Sequence, residues 1–272
     1  MATAQLPLIL EPEQLLPLLG KKKLLIVDLS DEETHSAYHV PGAVHLSYAQ
    51  LIKESPSVTE KTPIQAQLNQ SLNQAGLTPQ HHVIAYDNLD NSRACRLLWT
   101  LDLIGHTQHS LLNGGLLAWL DERHPTESGL HPVKPGQQHF KYCTDAPIAD
   151  LLYLLQHLND DDIKLLDART PEEYSGQEIR SQRGGHIPGA VNLDHRCLVS
   201  PEHSMRLKPE PELRLIIKNL KLNPQQKTII YCHTYRRAAL LYIALKSLGF
   251  TNLKAYPGSW DEWGNNLDTP VK

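Results

Sequence analysis

The stretch TIIYCHTYRRAALLYIALKSLGF, which runs from Thr228 to Phe250, carries the pattern that decides the fold. Four residues suited to a buried strand lead directly to Cys232, and two arginines follow within five residues. Apolar residues then recur at helical spacing between Ala238 and Leu248, and Gly249 is a helix stop signal. A strand that passes straight into a helix predicts a βα unit, the element from which parallel sheets are built.

The same order of motifs occurs twice in the chain. LLIVDLSDEETHSAYHVPGAVHL (Leu24 to Leu46) is similar to IKLLDARTPEEYSGQEIRSQRGGHIPGAVNL (Ile163 to Leu193). Each begins with an apolar run that ends in an acid, Asp28 or Asp167, and each contains a His-Val/Ile-Pro-Gly turn near its end. HVIAYDNLDNSRACRLLWTLDLIGH (His82 to His106) then matches the Cys232 stretch. Matching order over more than a hundred residues indicates a duplicated domain.

The duplication predicts the domain organisation and the fold class. The first domain is expected over residues 1–123 and the second over 140–272, and the Pro- and Gly-rich segment 124–139 is interpreted as a linker. Runs that are apolar at nearly every position suit strands buried on both faces. We therefore expect an α/β protein with two domains, each a parallel sheet flanked by helices on both faces.

Composition limits the classes of partner. A formal net charge of −4 gives no general signature of nucleic-acid or membrane binding. No stretch approaches the roughly 20 uncharged apolar residues that cross a bilayer. The N-terminal segment has no basic residue before its apolar run and contains Glu11 and Glu13, which argues against a signal peptide. A cytoplasmic location is therefore the default prediction.

The cysteines and histidines show no metal-binding spacing. The four cysteines form no CxxC pair, and the fifteen histidines form no HExxH or comparable motif. No metal and no cofactor are predicted. Cys95, Cys143 and Cys197 are expected to be small buried residues.

Cys232 has a setting suited to chemistry. Ligands of open α/β sheets bind beyond the carboxyl ends of the strands, and Cys232 follows such an end. The first amides of the next helix are unpaired and favour negative charge, which promotes the nucleophilic thiolate. Arg236 and Arg237 add positive charge there, and His233 is expected to add more. The first copy has Asp87 at the equivalent position, and Asp87 cannot carry out thiol chemistry.

These features resemble the tandem-domain rhodanese family of sulfurtransferases over nearly the whole chain. Two matched copies with a His-Val/Ile-Pro-Gly-Ala turn, and a cysteine loop in the second copy alone, carry the resemblance. The loop CHTYRR is most similar to that of the Azotobacter rhodanese, with threonine two residues after the cysteine and a terminal arginine. It differs from the vertebrate rhodanese loop and from the Gly-Ser/Thr-Gly loop of mercaptopyruvate sulfurtransferases.

The resemblance implies a thiosulfate sulfurtransferase that works through a Cys232 persulfide. The donor would be thiosulfate, and the acceptor would be cyanide or a thiol, including a protein thiol. Loop amides would stabilise the anionic sulfur, and Arg236 and Arg237 would hold the sulfonate. The predicted substrate-binding residues are His233, Thr234, Tyr235, Arg236, Arg237 and Arg180.

Three other functions are weighed against this one. Cdc25-type phosphatases and arsenate reductases share the fold, but the phosphatase loop has five residues between cysteine and arginine, whereas Cys232 and Arg237 enclose four. Mercaptopyruvate sulfurtransferases carry an arginine near the aromatic residue where this chain has Glu173, whose carboxylate would repel a 2-oxo acid. A sulfur carrier that delivers the persulfide to a protein partner would need the same cysteine.

Several residues keep two interpretations. Arg180 and Arg183 are either solvent-exposed charges or contacts for an anionic substrate. Asp167 either orients the active loop or caps a turn, and we favour the turn because Asp28 recurs in the first copy. Tyr235 either walls the pocket or is exposed.

Overall fold

The computed structural model describes three stretches of the chain, residues 6–52, 62–130 and 133–272. They form two compact units. The first unit contains the chain up to Leu51, Pro63–Ala146 and Ser200–Leu207, and the second contains Pro147–Val199 and Lys208–Lys272.

The sheet of the first unit has five strands. They are β1 (Ile9–Leu10), β2 (Leu24–Asp28), β3 (Val44–His45), β4 (His82–Tyr86) and β5 (His109–Leu112). Their order across the sheet is β1-β5-β4-β2-β3, and every neighbouring pair is parallel. β2 and β4 lie side by side in register, so that the ends of both strands, Asp28 and Tyr86, are paired.

Helices cover this sheet. They are α1 (Pro12–Leu15), α2 (Glu32–Ala37), α3 (Gln65–Gln74), α4 (Ser92–Leu103) and α5 (Gly115–Asp121), with 3₁₀ turns at Leu16–Leu18 and Tyr48–Leu51. Ile84 of β4 packs in one cluster with Leu15 of α1 and Trp119 of α5. Val83 and Ala85, which point to the other face of the strand, are buried as well. Both faces of the sheet are therefore covered, as the apolar strand sequence predicts.

The second unit repeats this design. Its strands are β6 (Ile163–Asp167), β7 (Val191–Asn192), β10 (Lys227–Tyr231) and β11 (Leu253–Ala255). A small separate sheet contains β8 (Val199–Ser200) and β9 (Arg206–Leu207), and most of it lies in the segment Ser200–Leu207 of the first unit. The main order is β11-β10-β6-β7, all parallel, and a parallel bridge between Ile148 and Ala255 extends it where β1 stands in the first unit.

The helices of the second half follow the same plan. They are α6 (Leu151–Gln156), α7 (Pro171–Tyr174), α8 (Glu210–Asn219), α9 (Arg237–Ser247) and α10 (Ser259–Asn265), with 3₁₀ turns at His195–Leu198 and Pro201–His203. In the stretches that the structure describes, no helix is long and apolar enough to cross a membrane.

Hydrogen bonds at matched positions show the duplication in three dimensions. The Trp119 indole N–H donates to the Pro125 carbonyl, and the Trp263 indole N–H donates to the Pro270 carbonyl. The Tyr86 hydroxyl accepts the N–H of Val40, and the Tyr231 hydroxyl accepts that of Ile187. The predicted α/β class with two parallel sheets is confirmed, and both tryptophans are packing residues.

The units differ from the predicted boundaries in two places. Side chains of α3 bind the backbone of the predicted linker and of the residues after it, since Asn73 contacts Gln138 and Asn69 contacts Phe140. The first unit accordingly extends to Ala146. It also includes Ser200–Leu207, a segment that the sequence assigns to the second copy.

Candidate active site

Cys232 lies where the sequence predicts, directly after β10 and just before α9. The loop brings together all of the predicted residues from Cys232 to Arg237, and the helix begins at Arg237. Cys232 and Tyr235 are fully buried, while His233, Thr234 and Arg236 are partly buried. The open question about Tyr235 is thereby answered, since its ring is enclosed within the protein.

The loop turns at Tyr235, whose backbone is left-handed with φ of +63°. This conformation is uncommon for a residue with a bulky side chain and indicates a locally constrained loop. The first unit has the same device at Asn91, with φ of +65°. Asn91 follows Asp87 by four residues, whereas Tyr235 follows Cys232 by three, so the Cys232 loop is one residue tighter before its turn.

The start of α10 fixes the backbone of the loop. The Trp260 N–H donates to the Cys232 carbonyl at 3.0 Å, and the Asp261 N–H donates to the His233 carbonyl at 2.9 Å. The first amides of a helix have no partner inside the helix, so these bonds satisfy both α10 and the loop. In the first unit, the Leu116 N–H of α5 donates to the Asp87 carbonyl at 2.9 Å in the same way.

Arg237 is held by Glu173, a residue that sequence analysis treated only as an obstacle to substrate. Two guanidinium nitrogens of Arg237 bind the Glu173 carboxylate, with one bond of 2.9 Å, and Glu173 is buried. Burial raises the pKa of Glu173, but the hydrogen bond and charge of Arg237 lower it to about 2. Glu173 is itself fixed at the start of α7 by a capping box with Thr170.

Arg236 has different surroundings from its neighbour. In the described part of the chain, no hydrogen bond or ion pair engages its side chain, which is partly buried. The two arginines predicted as one clamp therefore differ, because Arg237 is paired with Glu173 and Arg236 has no such partner among the described residues.

The structure also adds Arg169, which sequence analysis did not select. Its guanidinium binds the carboxylate of Asp167 at 2.6 to 3.0 Å and lies 4.4 Å from the centre of the Trp260 ring. The Arg169 N–H also donates to Asp167 Oδ1 at 2.9 Å, which is the turn cap that we favoured. Asp167 thus caps the turn and binds an arginine as well. An arginine two residues after the strand-ending acid was the available signal.

Arg180 and Arg183 have separate roles. The Arg180 side chain is 48% exposed, pairs with Glu178 and lies 3.4 Å from Glu173. Arg183 is instead engaged by backbone carbonyls at and after the end of α10, including those of Trp263 and Thr269. Arg183 therefore stabilises a helix end, which neither of its two interpretations anticipated.

Three expectations are corrected by the structure, and they concern the charge of His233 and the burial of Cys143 and Cys197. Burial lowers the pKa of His233, the charge of Asp261 opposes this to a smaller extent, and the charge of Arg237 lowers the pKa further. His233 is therefore not a source of added positive charge near neutral pH. Cys95 is buried as predicted, and burial raises the pKa of its thiol well above the ordinary range. Cys197 is exposed and Cys143 is partly exposed, so the buried interpretation is wrong for Cys197 and incomplete for Cys143.

The first unit shows what a loop of this kind binds. The buried Asp87 carboxylate accepts four backbone N–H groups: those of Leu89 at 2.8 Å, Asn91 at 3.1 Å, Arg93 at 3.0 Å and Ala94 at 3.1 Å. Burial and the charge of Asp90 raise the pKa of Asp87, and the amide hydrogen bonds oppose that rise. The strand-to-helix loop is thus a cradle of amides for an acidic group, and in the second unit Cys232 occupies the corresponding position.

Two duplicated α/β units, each with a strand-to-helix loop and one with a cysteine in that loop, define a class of tandem-domain α/β proteins. The family model for the rhodanese-like domain matches residues 11–122 and 150–266. The chain belongs to the tandem-domain rhodanese family of sulfurtransferases.

Individual relatives cover nearly the whole chain. The thiosulfate sulfurtransferase of Azotobacter vinelandii is 35% identical over 269 residues, covering 99% of this chain and 98% of the relative. The sulfur carrier protein TtuD of Thermus thermophilus is 27% identical, and the match covers 92% of this chain and 90% of the TtuD chain. Among solved structures, SseA from Escherichia coli, described with the 3-mercaptopyruvate sulfotransferases, has a TM-score of 0.81 at 24% identity and covers 94% of this chain and 99% of that one. The last likeness shows the fold.

Proposed function

We propose that this protein is a thiosulfate sulfurtransferase that moves sulfane sulfur from thiosulfate to cyanide or a thiol through a persulfide on Cys232. The observation that carries the proposal is the correspondence between Asp87 and Cys232. Four amides hold a carboxylate in one loop, and the equivalent position in the other loop carries a nucleophile.

The first step balances without a cofactor. The Cys232 thiolate attacks the outer sulfur of thiosulfate, a new S–S bond forms, and the S–S bond of thiosulfate breaks. Its electron pair leaves with sulfite, which departs as a dianion, and the terminal sulfur of the persulfide keeps the negative charge that it carried in thiosulfate. The loop amides and the α9 N-terminus stabilise that charge, and Arg236 binds the sulfonate oxygens.

The second step returns the free thiolate. Cyanide attacks the terminal sulfur, and the persulfide S–S bond breaks. Thiocyanate leaves with the sulfur, and the electron pair of the broken S–S bond stays on Cys232. A thiolate acceptor reacts in the same way and carries the sulfur away as its own persulfide. This is covalent catalysis in which one transfer is divided into two displacements.

Mass spectrometry with site-specific detection tests the proposal. Thiosulfate should add one sulfur atom, about 32 Da, to the peptide that contains Cys232, and cyanide should remove it. Cys232→Ser should lower turnover by about a thousandfold or more, as removal of a nucleophile does. Cys197→Ser is the matched control, because Cys197 is the exposed cysteine, and it should keep wild-type activity. Retained turnover in Cys232→Ser would refute the mechanism.

Mercaptopyruvate is the second candidate donor, and the Glu173–Arg237 pair disfavours it. A 2-oxo acid needs cations for its carboxylate, and Glu173 already occupies Arg237. The pair carries no net charge, however, so repulsion by Glu173 is weaker than its sequence position alone suggests. Turnover of thiosulfate, mercaptopyruvate and a phosphate ester by the same preparation ranks the donors.

The likeness to a sulfur carrier supports a further alternative for the acceptor. A Cys232 persulfide could pass its sulfur to a protein thiol, since the second displacement needs only a nucleophile. Single-turnover decay of the persulfide should be compared for cyanide, low-molecular-weight thiols and small thiol-bearing carrier proteins. Decay that only a carrier protein accelerates would favour the carrier function over the thiosulfate:cyanide activity.

A further inference from the structure

Ser259, the first residue of α10, has an unusual backbone. It is fully buried and left-handed, with φ of +54°. A residue with a side chain in this conformation is strained, and such strain persists only where surrounding contacts impose it. The first unit places Gly115 at the equivalent position, with φ of +55°.

The two positions differ in the space beside the loop. A Cβ atom added to Gly115 would lie 2.2 Å from the carbonyl oxygen of Asp87, so a side chain is excluded there. The second unit accommodates both a Cβ atom and a hydroxyl at Ser259. Glycine would relieve the strain without changing the backbone, and yet the unit that carries the thiol has serine.

The hydroxyl of Ser259 contacts the backbone of Cys232. Ser259 Oγ accepts the Cys232 N–H at 3.3 Å and donates its own proton to the Tyr256 carbonyl at 2.9 Å. A hydroxyl has one proton, so the bond to Tyr256 leaves Oγ as an acceptor toward Cys232. Ser259 therefore cannot donate to the reacting sulfur through that proton, and its contact with Cys232 is through the main chain.

Together with α10, Ser259 holds both polar groups of the Cys232 backbone. Its hydroxyl binds the N–H, and the Trp260 N–H binds the carbonyl. Strand β10 fixes the chain on one side, and these two bonds fix the residue after it. The direction of the Cα–Cβ bond of Cys232, and hence the position of its sulfur, follows from this arrangement.

We propose that Ser259 is a positioning residue for sulfur transfer, whose hydroxyl fixes the Cys232 peptide so that the thiolate and the persulfide point into the loop. The effect of Ser259 on turnover rests on the proposed function. Its effect on the reactivity of the Cys232 thiol does not depend on the identity of the sulfur donor.

Two variants separate the hydroxyl from the strain. Ser259→Gly removes both, and Ser259→Ala removes the hydroxyl while keeping a Cβ atom at positive φ. Each should slow alkylation of Cys232 by iodoacetamide, followed by peptide mass spectrometry, by about threefold to tenfold, as loss of one neutral hydrogen bond would. The saturating rate of persulfide formation should fall by a similar factor, while the half-saturating thiosulfate concentration stays unchanged.

Lys221→Gly is the matched control. Lys221 also has a positive φ, of +55°, but is exposed and lies beyond the end of α8 in the same unit. Lys221→Gly should unfold at a temperature no lower than wild type, because it relieves a left-handed side chain. Ser259→Gly relieves the same strain but leaves the buried Cys232 N–H without its acceptor, so the two effects oppose each other in its stability. Only Ser259→Gly should lose Cys232 reactivity.

Wild-type alkylation and persulfide rates in Ser259→Gly would overturn the proposal, and so would an equal loss in Lys221→Gly. If wild-type protein forms no persulfide from thiosulfate, the proposed function fails. The alkylation comparison still decides the role of Ser259 in that case.

Discussion

The Asp87 and Cys232 loops are built on the same plan and differ in how their central group is satisfied. Each loop follows a central strand of its sheet, β4 or β10, which has a paired strand on both sides. Each then turns through a left-handed residue and leads into a buried helix. Asp87 satisfies its own loop, since its carboxylate accepts four amides of that loop. Cys232 stands at the equivalent position of its loop and has no carboxylate with which to satisfy the loop amides. Under the proposed function, a thiol in place of this acid converts a position that satisfies its own loop into a reactive site.

The second difference concerns the cations. The Cys232 loop contains Arg236 and Arg237, and the buried Glu173 binds one of them. In the first unit, Arg93 donates to the Leu29 carbonyl and lies 6.0 Å from the centre of the Tyr48 ring, and no carboxylate of the described residues pairs with it in this way. Under the proposed function, pairing Arg237 with an acid leaves Arg236 to bind thiosulfate, so the positive charge that is free to bind the donor is smaller than the two arginines of the sequence suggest.

The largest effect is expected from breaking the Glu173–Arg237 pair. Arg237→Ala leaves the buried Glu173 carboxylate with only the half-exposed Arg180, 3.4 Å away, as a cationic neighbour and should destabilise the second unit by about 3 kcal/mol. Adding Glu173→Gln should recover most of that loss, because glutamine keeps the capping box without the charge. Chemical denaturation of the two variants measures the difference. Equal stability of the single and double variants would show that the pair is not what holds the loop.

Arg236→Ala tests whether the unpaired arginine meets the donor. Loss of a charge-assisted contact should raise the half-saturating thiosulfate concentration by about tenfold to a hundredfold, with stability unchanged. Stopped-flow measurement of persulfide formation gives this value. Arg214→Ala, which removes an exposed arginine paired with Glu210 on α8, is the control and should behave as wild type. An equal effect in both variants would point to general electrostatics.

Asp87→Asn tests whether the Asp87 carboxylate stabilises the loop of the first unit. An amide oxygen can still accept two of the N–H groups, but the NH₂ group would face the other two. We expect a loss of about 1 to 3 kcal/mol in the stability of the first unit, with sulfur transfer per folded molecule unchanged. Asp145→Asn, an exposed change in the same unit, should have no effect. An unchanged unfolding midpoint for Asp87→Asn would contradict the amide cradle.

The smallest effect is expected from pH and concerns His82 of the first unit. Burial lowers its pKa to about 4, with the charges of His109 and His106 as lesser causes. The unfolded chain therefore takes up this proton first as the pH falls, so stability decreases from about pH 6.5 down to 4. Hydrogen exchange at β4 should report the loss. His82→Gln should flatten this pH dependence, whereas His203→Gln, an exposed change, should leave it as it is.

The sequence predicts the parts of this molecule that depend on local pattern. The apolar run LLIVD is β2 to the residue, and both Asp87 and Cys232 directly follow their strands. Short edge strands such as β1 and β11 carry too few residues to show a period, so they were not predicted. The sequence does not indicate the burial of single residues either. Cys197 has the same kind of sequence context as the other isolated cysteines, but it is exposed.

The contacts around the candidate site lie mostly beyond local pattern. Glu173 and Arg237 are 64 residues apart, and Arg183 meets the end of α10 about 80 residues later. Such pairs depend on the packed fold, which charge counting along the chain cannot reveal. Glu173 was consequently interpreted as a repulsive group, although it is a structural partner of the loop. Ser259 was equally hidden, because a positive φ at a serine leaves no mark in the sequence.

The segment Ser200–Leu207 has a consequence for synthesis. Although it comes late in the chain, Arg206 pairs with Glu11 and Glu122, and the Leu207 N–H donates to Asn113. A ribosome has already made β6 and β7 of the second unit before it supplies these eight residues. Domains commonly fold in order as they emerge, but here the earlier unit must wait for a late segment before it is complete. Truncation before residue 200 should therefore release a nascent first unit that lacks part of its own structure.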